Sequence, residues 1–159
     1  MNVMVDSISS LGEVSSDENR LYPVFLKLEQ LDVLLVGGGN VGLEKLESIL
    51  GNSPAANVTV VAPLIRKEIF NLVAAHPQLI LVERKFEEND LNGRDLVVLA
   101  TDDKELHVNI RELAKSRHLL VNVADTPKLC DFYLGSIVKK GNLKIAISTN
   151  GKSPTVAKR

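Results

Sequence analysis

The chain has 159 residues, of which 45% are hydrophobic and 25% charged, and its formal net charge is -1 at pH 7. This size and composition are typical of one globular domain with a core, and the small net charge gives no general attraction to nucleic acid or membranes. No apolar run approaches the ~20 residues that span a bilayer. We expect no signal peptide, and the single cysteine, Cys130, excludes an internal disulfide and favours a cytoplasmic location.

The N-terminal part of the chain divides into a tail and a lead-in segment. Residues 1–20 are rich in Ser, Asp, Glu and Asn and show no sustained hydrophobic period, which predicts a flexible tail. Residues 22–28 are apolar enough to pack on the folded domain, and we expect them to form a lead-in strand. The regular alternation of strands and helices starts after this segment.

A glycine-rich turn between a strand and a helix is the most informative stretch. An apolar run, residues 33–36, is followed by Gly37, Gly39 and Gly42, which fill the three positions of G-x-G-x-x-G at the start of a helical pattern. The first glycine lets the chain turn, the second lets the backbone approach a pyrophosphate, and the third lets helix and strand pack closely. This context predicts dinucleotide binding at the helix N-terminus, and the alternative is a turn kept for packing alone.

The rest of the pattern alternates short apolar strands with helices. Strands that are apolar throughout are covered on both faces, as in parallel sheets flanked by helices. The sequence therefore predicts an α/β fold, a Rossmann-like doubly wound parallel sheet followed by a C-terminal β-hairpin with a type II′ turn at Gly141-Asn142. The later strands are expected at residues 57–62, 79–82, 96–100 and 119–123, the helices at 41–50, 65–75 and 102–116, and the hairpin strands at 137–140 and 143–148.

Ligands of doubly wound sheets bind outside the carboxyl ends of the strands. Residues 62–64 follow the second strand and lack the acid that usually holds a ribose 2′-OH, so NAD and NADP are not separated on this ground. Arg66 is close enough in sequence to meet a 2′-phosphate. Thr101 and Asp102 follow the fourth strand, and one of these two residues is expected to cap the next helix. A helix cap and a first-turn charge are simpler roles for Asp102 and Asp103 than catalysis.

Asp125 follows the last predicted strand directly and should point into the crevice that holds the nucleotide. A carboxylate at this place can act as a general base beside a hydride acceptor, and the alternative is a turn-forming Asp before Thr-Pro. The three histidines have no metal-like spacing, so no metal site is predicted, and His107 is expected on an exposed helix face. Cys130 has no His or second Cys nearby, which argues against a nucleophilic role.

The C-terminal part is basic, since from residue 126 onward Asp131 is the single acid. These lysines either protect an exposed hairpin edge or form a basic wall for a polyanionic ligand. Low aromatic content argues against nucleic acid as the partner. The basic residues are Lys128, Lys139, Lys140, Lys144, Lys152, Lys158 and Arg159.

A set of short segments follows in a fixed order along the chain, from about residue 22 to residue 159. They are Tyr22-Pro23-Val24-Phe25-Leu26, Val36-Gly37-Gly38-Gly39-Asn40-Val41 with Lys45, Ala100-Thr101-Asp102-Asp103, Asn122-Val123-Ala124-Asp125 with Pro127, Cys130-Asp131-Phe132 and Ser148-Thr149-Asn150-Gly151-Lys152-Ser153-Pro154. The ordered set is more specific than any one segment, and it resembles the precorrin-2 dehydrogenase / sirohydrochlorin ferrochelatase family, the NAD-binding module of siroheme synthases.

The resemblance implies NAD-dependent removal of hydride from precorrin-2 to give sirohydrochlorin, and in some members insertion of ferrous iron. The family's essential aspartate falls on Asp125. The implied NAD contacts fall on Gly39, Asn40, Val41, Pro63 and Leu64, and we expect Gly37, Thr101 and Asp102 beside them. The tetrapyrrole substrate carries eight carboxylates, for which the expected contacts are Lys128, Ser148, Thr149 and Lys152.

The resemblance also implies a division of the chain and a homodimer. Residues 21–125 are expected to form the NAD-binding domain and residues 126–159 a hairpin and dimerisation segment. Relatives continue into a helical dimerisation region after a Ser-Pro helix start, here Ser153-Pro154, and this region is expected to be missing. Two rival interpretations remain, namely a nucleotide-sensing regulatory domain without catalysis and a folded but inactive fragment.

Overall fold

Five parallel strands form the central sheet of the computed structural model, which describes residues 18–151. Their spatial order is β3-β2-β1-β4-β5, so the chain reverses its direction across the sheet beside β1. This arrangement confirms the predicted Rossmann-like, doubly wound fold. The strands are β1 Asp32–Val36, β2 Asn57–Ala62, β3 Ile80–Glu83, β4 Leu96–Leu99 and β5 Leu120–Val123.

Three helices cover the two faces of the sheet. They are α1 Asn40–Asn52, α2 Lys67–Leu72 and α3 Lys104–Ser116. Alternate residues of β1 belong to different core clusters, because strand side chains point to opposite faces in turn: Val33 and Leu35 pack with α1 and α2, whereas Leu34 and Val36 pack with α3. Within residues 18–151, none of the helices has the length and apolar character needed to cross a membrane.

The predicted lead-in strand is wrong. Residues 22–28 form no strand, Tyr22 and Phe25 are 88% and 70% exposed, and a short 3-10 helix, Leu28–Gln30, leads into β1. The physical reason is that β1 lies in the middle of the sheet and pairs with both β2 and β4, which leaves it no edge for another strand. Residues 1–17 of the predicted tail lie outside the described residues.

Helix α2 is shorter than predicted. The backbone of Arg66 is extended, so the helix begins after it instead of at residue 65, and it ends at Leu72 instead of residue 75. The segment after β2 therefore stays extended as it passes the glycine turn. This conformation leaves Pro63 and Leu64 exposed at the carboxyl end of the sheet.

A hairpin follows the sheet, with strands β6 Ser136–Lys140 and β7 Leu143–Ile147. Of its two turn residues, Gly141 alone has a positive φ, +58°, as in the expected type II′ turn. Lys139 and Lys144 donate hydrogen bonds to the carbonyl groups of Gly51 and Asn52, at the carboxyl end of α1. Since α1 has 13 residues, these two lysines lie about 20 Å from the glycine turn, where their charges stabilise the carboxyl end of the helix.

Candidate functional site

The glycine turn connects β1 to α1 and is packed tightly between the ends of β2 and β4. Gly37 has φ +129°, and a Cβ on it would lie 2.3 Å from the carbonyl oxygen of Ala100. A Cβ on Gly42 would lie 2.3 Å from the carbonyl oxygen of Gly37. The first and third glycines of the motif are therefore required by backbone packing.

Gly39 is different, because a Cβ there would meet no atom within 4 Å. The open space faces the start of α1, where Gly39 is the N-cap and supplies no side-chain acceptor. The first N–H groups of a helix lack partners within the helix, so those of Asn40 and Val41 can bind an anion. The space and the donors fit a pyrophosphate at the position that the motif predicts.

Gly38 also serves packing, although the motif gives its position no role. Its Cβ would lie 2.5 Å from the carbonyl oxygen of Leu64, and its own carbonyl accepts a hydrogen bond from the Arg66 N–H at 2.9 Å. These contacts hold the segment after β2 against the glycine turn. Leu64 itself is 79% exposed and offers an apolar surface there, next to Pro63.

Two carboxylates and one guanidinium lie beyond the end of β2. Arg66 contacts Glu68 and Asn40 through its guanidinium. Glu83 reaches this place from the end of β3, and its Oε2 accepts a hydrogen bond from the Ile65 N–H at 3.0 Å. Both acids therefore have partners within the chain, Glu83 the Ile65 N–H and Glu68 the Arg66 guanidinium, and neither pairing follows from the spacing within β2.

Thr101 follows β4 and is held by a buried histidine. The Nε2 atom of His107 lies 2.8 Å from Thr101 Oγ1 and accepts a hydrogen bond from the Thr101 N–H at 3.3 Å. Thr101 Oγ1 in turn accepts from the Asp103 N–H at 3.1 Å. This network requires a neutral imidazole, and it fixes the backbone at the end of β4.

Two expectations about this segment are wrong. His107 is 4% exposed instead of lying on an exposed helix face, because it shares a buried stripe of α3 with Ile110 and Ala114. The helix cap is Asp103, whose side chain accepts from the Leu106 N–H at 3.0 Å. Asp102 does not cap the helix and is exposed at the edge of the sheet.

The buried His107 predicts a loss of stability in acid. Burial lowers its pKa, and the nearby Asp103 and Asp102 oppose this shift only in part. The pKa of an unfolded histidine is ordinarily about 6.5, so below this pH the unfolded chain binds a proton more readily than the folded chain does. The stability present at higher pH is therefore lost as the pH falls from this value through the folded-state pKa. We expect the free energy of unfolding, measured with urea, to fall more steeply below pH 6.5 in the natural chain than in His107→Gln. Equal slopes in the two proteins would contradict this assignment.

Asp125 occupies a strained turn after β5. Its φ is +57°, it is exposed, and the Thr126 N–H closes the turn on the Val123 carbonyl at 3.3 Å. Positive φ at the third position of a β-turn favours Gly or Asn, so an aspartate here costs conformational energy. The Ala124 N–H donates to the Leu99 carbonyl at 2.9 Å, which ties the turn to the end of β4.

Cys130 closes the loop that begins at Asp125 through hydrogen bonds to Val123. Its Sγ accepts from the Val123 N–H at 3.1 Å and donates to the Val123 carbonyl at 3.2 Å, so both ends of the loop are joined. Burial raises the pKa of the Cys130 thiol, which keeps it protonated and able to donate. These contacts give Cys130 a structural role and agree with the absence of a nucleophilic one.

Asp131 covers the open edge of β5. Its Oδ2 accepts from the Val121 N–H at 3.0 Å, its N–H donates to the Val121 carbonyl at 2.7 Å, and its Oδ1 pairs with Lys115 at 2.8 Å. The chain then crosses to the other face, where Phe132 packs with the α1 cluster. The motif Cys130-Asp131-Phe132 therefore positions the Asp125 loop, a role that its spacing did not suggest.

The expected substrate residues lie on two neighbouring segments. Lys128 is exposed on the Asp125 loop, three residues from the aspartate. A Cβ on Gly151 would lie 3.5 Å from Pro127, so residues 148–151 pass beside that loop. Ser148 Oγ accepts from the Asn150 N–H at 3.2 Å, and Thr149 lies next to it in the same segment.

Lys152 and the Ser153-Pro154 helix start lie outside the described residues. Among residues 18–151, no group of three or more His, Cys, Asp or Glu side chains is arranged to hold a metal ion. The part of the site that is described consists of an anion-binding turn, an exposed carboxylate and a lysine at one edge of the sheet. This combination suits a dinucleotide with an acidic or proton-donating second ligand.

Comparison with known proteins agrees with this geometry. Residues 24–136 match the family described as "Putative NAD(P)-binding", and residues 140–159 match the family described as "Sirohaem biosynthesis protein central". The siroheme synthases of Vesicomyosocius okutanii and Thioalkalivibrio sulfidiphilus are 37% and 38% identical to the chain over 86% of its length. The chain spans only 28% and 27% of those two proteins.

A solved structure is also similar. The chain is 33% identical to "SirC, precorrin-2 dehydrogenase", with a TM-score of 0.69 over 87% of this chain and 66% of that one. An identity of this size together with a TM-score of 0.69 supports more than a common fold. These matches confirm the resemblance that the ordered motifs indicate.

Proposed function

The chain belongs to the NAD(P)-binding family that its residues 24–136 match, and we propose that it uses NAD to dehydrogenate precorrin-2 to sirohydrochlorin. The observation that carries this proposal is an exposed carboxylate at the carboxyl ends of the strands, where the open glycine turn also lies. Strands β1, β4 and β5 are neighbours, so the glycine turn and the Asp125 turn lie about 10 Å apart. A nicotinamide and a substrate edge can occupy that interval.

The open glycine turn supports a set of proposed nucleotide contacts. The N–H groups of Asn40 and Val41 would bind the pyrophosphate, with Gly39 leaving room for it and Gly37 setting the turn. Pro63 and Leu64 offer a surface to the adenosine, and Thr101 and Asp102 line the crevice at the end of β4. Bound NAD would supply the hydride acceptor.

Asp125 would act as the general base. When a hydride leaves precorrin-2, a proton must also leave, and the exposed carboxylate can accept it. Asp125 is exposed and its backbone has a positive φ, which costs some conformational energy that glycine would not incur in a turn kept for its shape alone. A nucleotide sensor without catalysis is not favoured, because it gives Asp125 no role.

The substrate's carboxylates would meet Lys128, Ser148, Thr149 and Lys152. Lys128 lies beside Asp125, and residues 148–151 pass along the same loop. Lys139 and Lys144 do not join this group, because they bind carbonyls at the far end of α1. Ferrous iron is proposed as a second substrate, with Asp125 accepting the pyrrole protons that it displaces. The free thiol of Cys130 fits a reducing cytoplasm.

We further propose a homodimer formed through the hairpin, with residues 21–125 as the NAD-binding domain and residues 126–159 as the dimerisation segment. Four apolar side chains of the hairpin are 39% to 60% exposed. An isolated two-stranded hairpin is only marginally stable in water, and an exposed apolar patch of this kind marks an interaction surface. A second copy of the chain would cover them. Sedimentation equilibrium should give twice the chain mass, and a monomer at all concentrations would contradict this. The four residues are Ile137, Val138, Leu143 and Ile145.

The test of the proposed function is anaerobic incubation of the purified chain with precorrin-2 and NAD, followed by its visible spectrum. We expect conversion to sirohydrochlorin that depends on NAD, and then a spectral change on addition of ferrous iron if chelation also occurs. NAD binding without any conversion would contradict the dehydrogenase and would support the sensor. Repeating the incubation with a longer relative from the same family controls for the quality of the substrate.

A further inference from the structure

An arginine lies between the glycine turn and an acid beyond β2. The N–H of Arg66 donates to the Gly38 carbonyl at 2.9 Å, which fixes the arginine backbone against the turn. Its Nε and Nη2 atoms contact the two carboxylate oxygens of Glu68 at 3.2 and 2.7 Å. Its Nη1 atom donates to Oδ1 of Asn40, the first residue of α1.

This pairing occupies one full edge of the guanidinium. Two parallel N–H···O bonds to one carboxylate are the strongest geometry that an arginine forms. Arg66 lowers the pKa of Glu68 to about 2, so the acid is ionised at any neutral pH. The pair therefore carries no net charge, and the arginine that contacts Gly38 and Asn40 is already neutralised.

Rossmann folds distinguish NAD from NADP at the end of the second strand, here β2. NADP differs from NAD by a phosphate on the adenosine 2′-oxygen, and an arginine near this strand end commonly accommodates it. Here the arginine is present, but a 2′-phosphate could reach it only by displacing the carboxylate of Glu68 or by lying beside that carboxylate. A phosphate that lies beside the Glu68 carboxylate would be repelled by it, because both groups are negatively charged.

We propose that Glu68 makes this site select NAD over NADP by holding Arg66 in the bidentate pair. The inference rests on the proposed function, since it assumes that the glycine turn binds a dinucleotide. It assigns the discrimination to an acid on α2 that the sequence of β2 does not contain. Removing this acid should release Arg66 toward a 2′-phosphate.

The experiment is Glu68→Gln, with NAD and NADP binding measured separately by calorimetry on the full chain. We expect NADP affinity to rise about ten- to hundredfold, the size of a new charge-assisted contact, while NAD affinity stays nearly constant. The pair is exposed at the surface, so the variant should fold, and its melting temperature verifies this.

Two variants separate the proposed role from a general change of charge. Glu83→Gln removes the same charge from the same end of the sheet, but Glu83 bonds to the Ile65 N–H instead of to an arginine. It should give no comparable gain in NADP affinity. In the double variant Glu68→Gln/Arg66→Gln, the gain should disappear.

Four results would overturn the inference: a natural protein that already prefers NADP, no gain in NADP affinity for Glu68→Gln, equal gains in the two single variants, or a gain that survives loss of Arg66. If the natural chain binds NAD and Glu68→Gln gains no NADP affinity, this inference alone fails. If the natural chain binds neither nucleotide, the proposed function fails together with it. The two failures are therefore distinguishable in the same set of titrations.

Discussion

Asp125→Asn should lower the rate of precorrin-2 dehydrogenation by about 10²- to 10⁴-fold, the usual contribution of a positioned base, with NAD binding and melting temperature unchanged. Asparagine is the best replacement because it tolerates positive φ as well as aspartate does, and Asp125 has φ +57°. Alanine would combine loss of the carboxylate with added backbone strain. The asparagine variant thus removes the charge and leaves the turn intact.

The measurement is single-turnover dehydrogenation at saturating NAD, with NAD affinity determined independently. Asp125→Gly should lose as much activity as Asp125→Asn while relieving the strain, which separates the carboxylate from the backbone geometry. Glu105→Gln removes an equal charge from an exposed position in the first turn of α3 and should keep the full rate. An Asp125→Asn variant that retains the natural rate would remove Asp125 from the mechanism.

The parallel, doubly wound sheet could be predicted because the signals for it are local. Each strand of the sheet centre is apolar on both faces, and the glycine turn marks the point where a strand feeds a helix. The burial of His107 is readable from the sequence, since His107, Ile110 and Ala114 follow the spacing of a buried helix stripe. A polar residue on such a stripe signals a buried hydrogen bond, here to Thr101.

Other parts of the site depend on contacts between segments that are distant in sequence. Glu83 reaches Ile65 because β3 pairs with β2 in a register that places Glu83 opposite Ala62. Cys130 fastens the Asp125 loop because the chain turns back along the edge of β5. Neither contact follows from the hydrophobic pattern of one element, so the sequence indicated Asp125 without indicating what holds it in place.

Gly37→Ala and Gly39→Ala add the same methyl group two residues apart, and we expect opposite consequences. At Gly37 the methyl would lie 2.3 Å from the Ala100 carbonyl oxygen on a backbone with φ +129°. Overpacking and strain together should cost about 3 kcal/mol or more, which lowers the melting temperature of a domain of this size by about 10 °C. Thermal unfolding measures this effect directly.

At Gly39 the methyl meets no protein atom within 4 Å, and φ is -90°, which alanine adopts readily. The melting temperature should therefore stay the same, while NAD affinity should fall by about tenfold or more because the methyl occupies the space that a pyrophosphate needs. Gly51→Ala adds a methyl to open space at the far end of α1 and should change neither property adversely. If Gly39→Ala binds NAD as the natural chain does, the phosphates do not lie on this turn, and the nucleotide site must be sought elsewhere along the sheet edge.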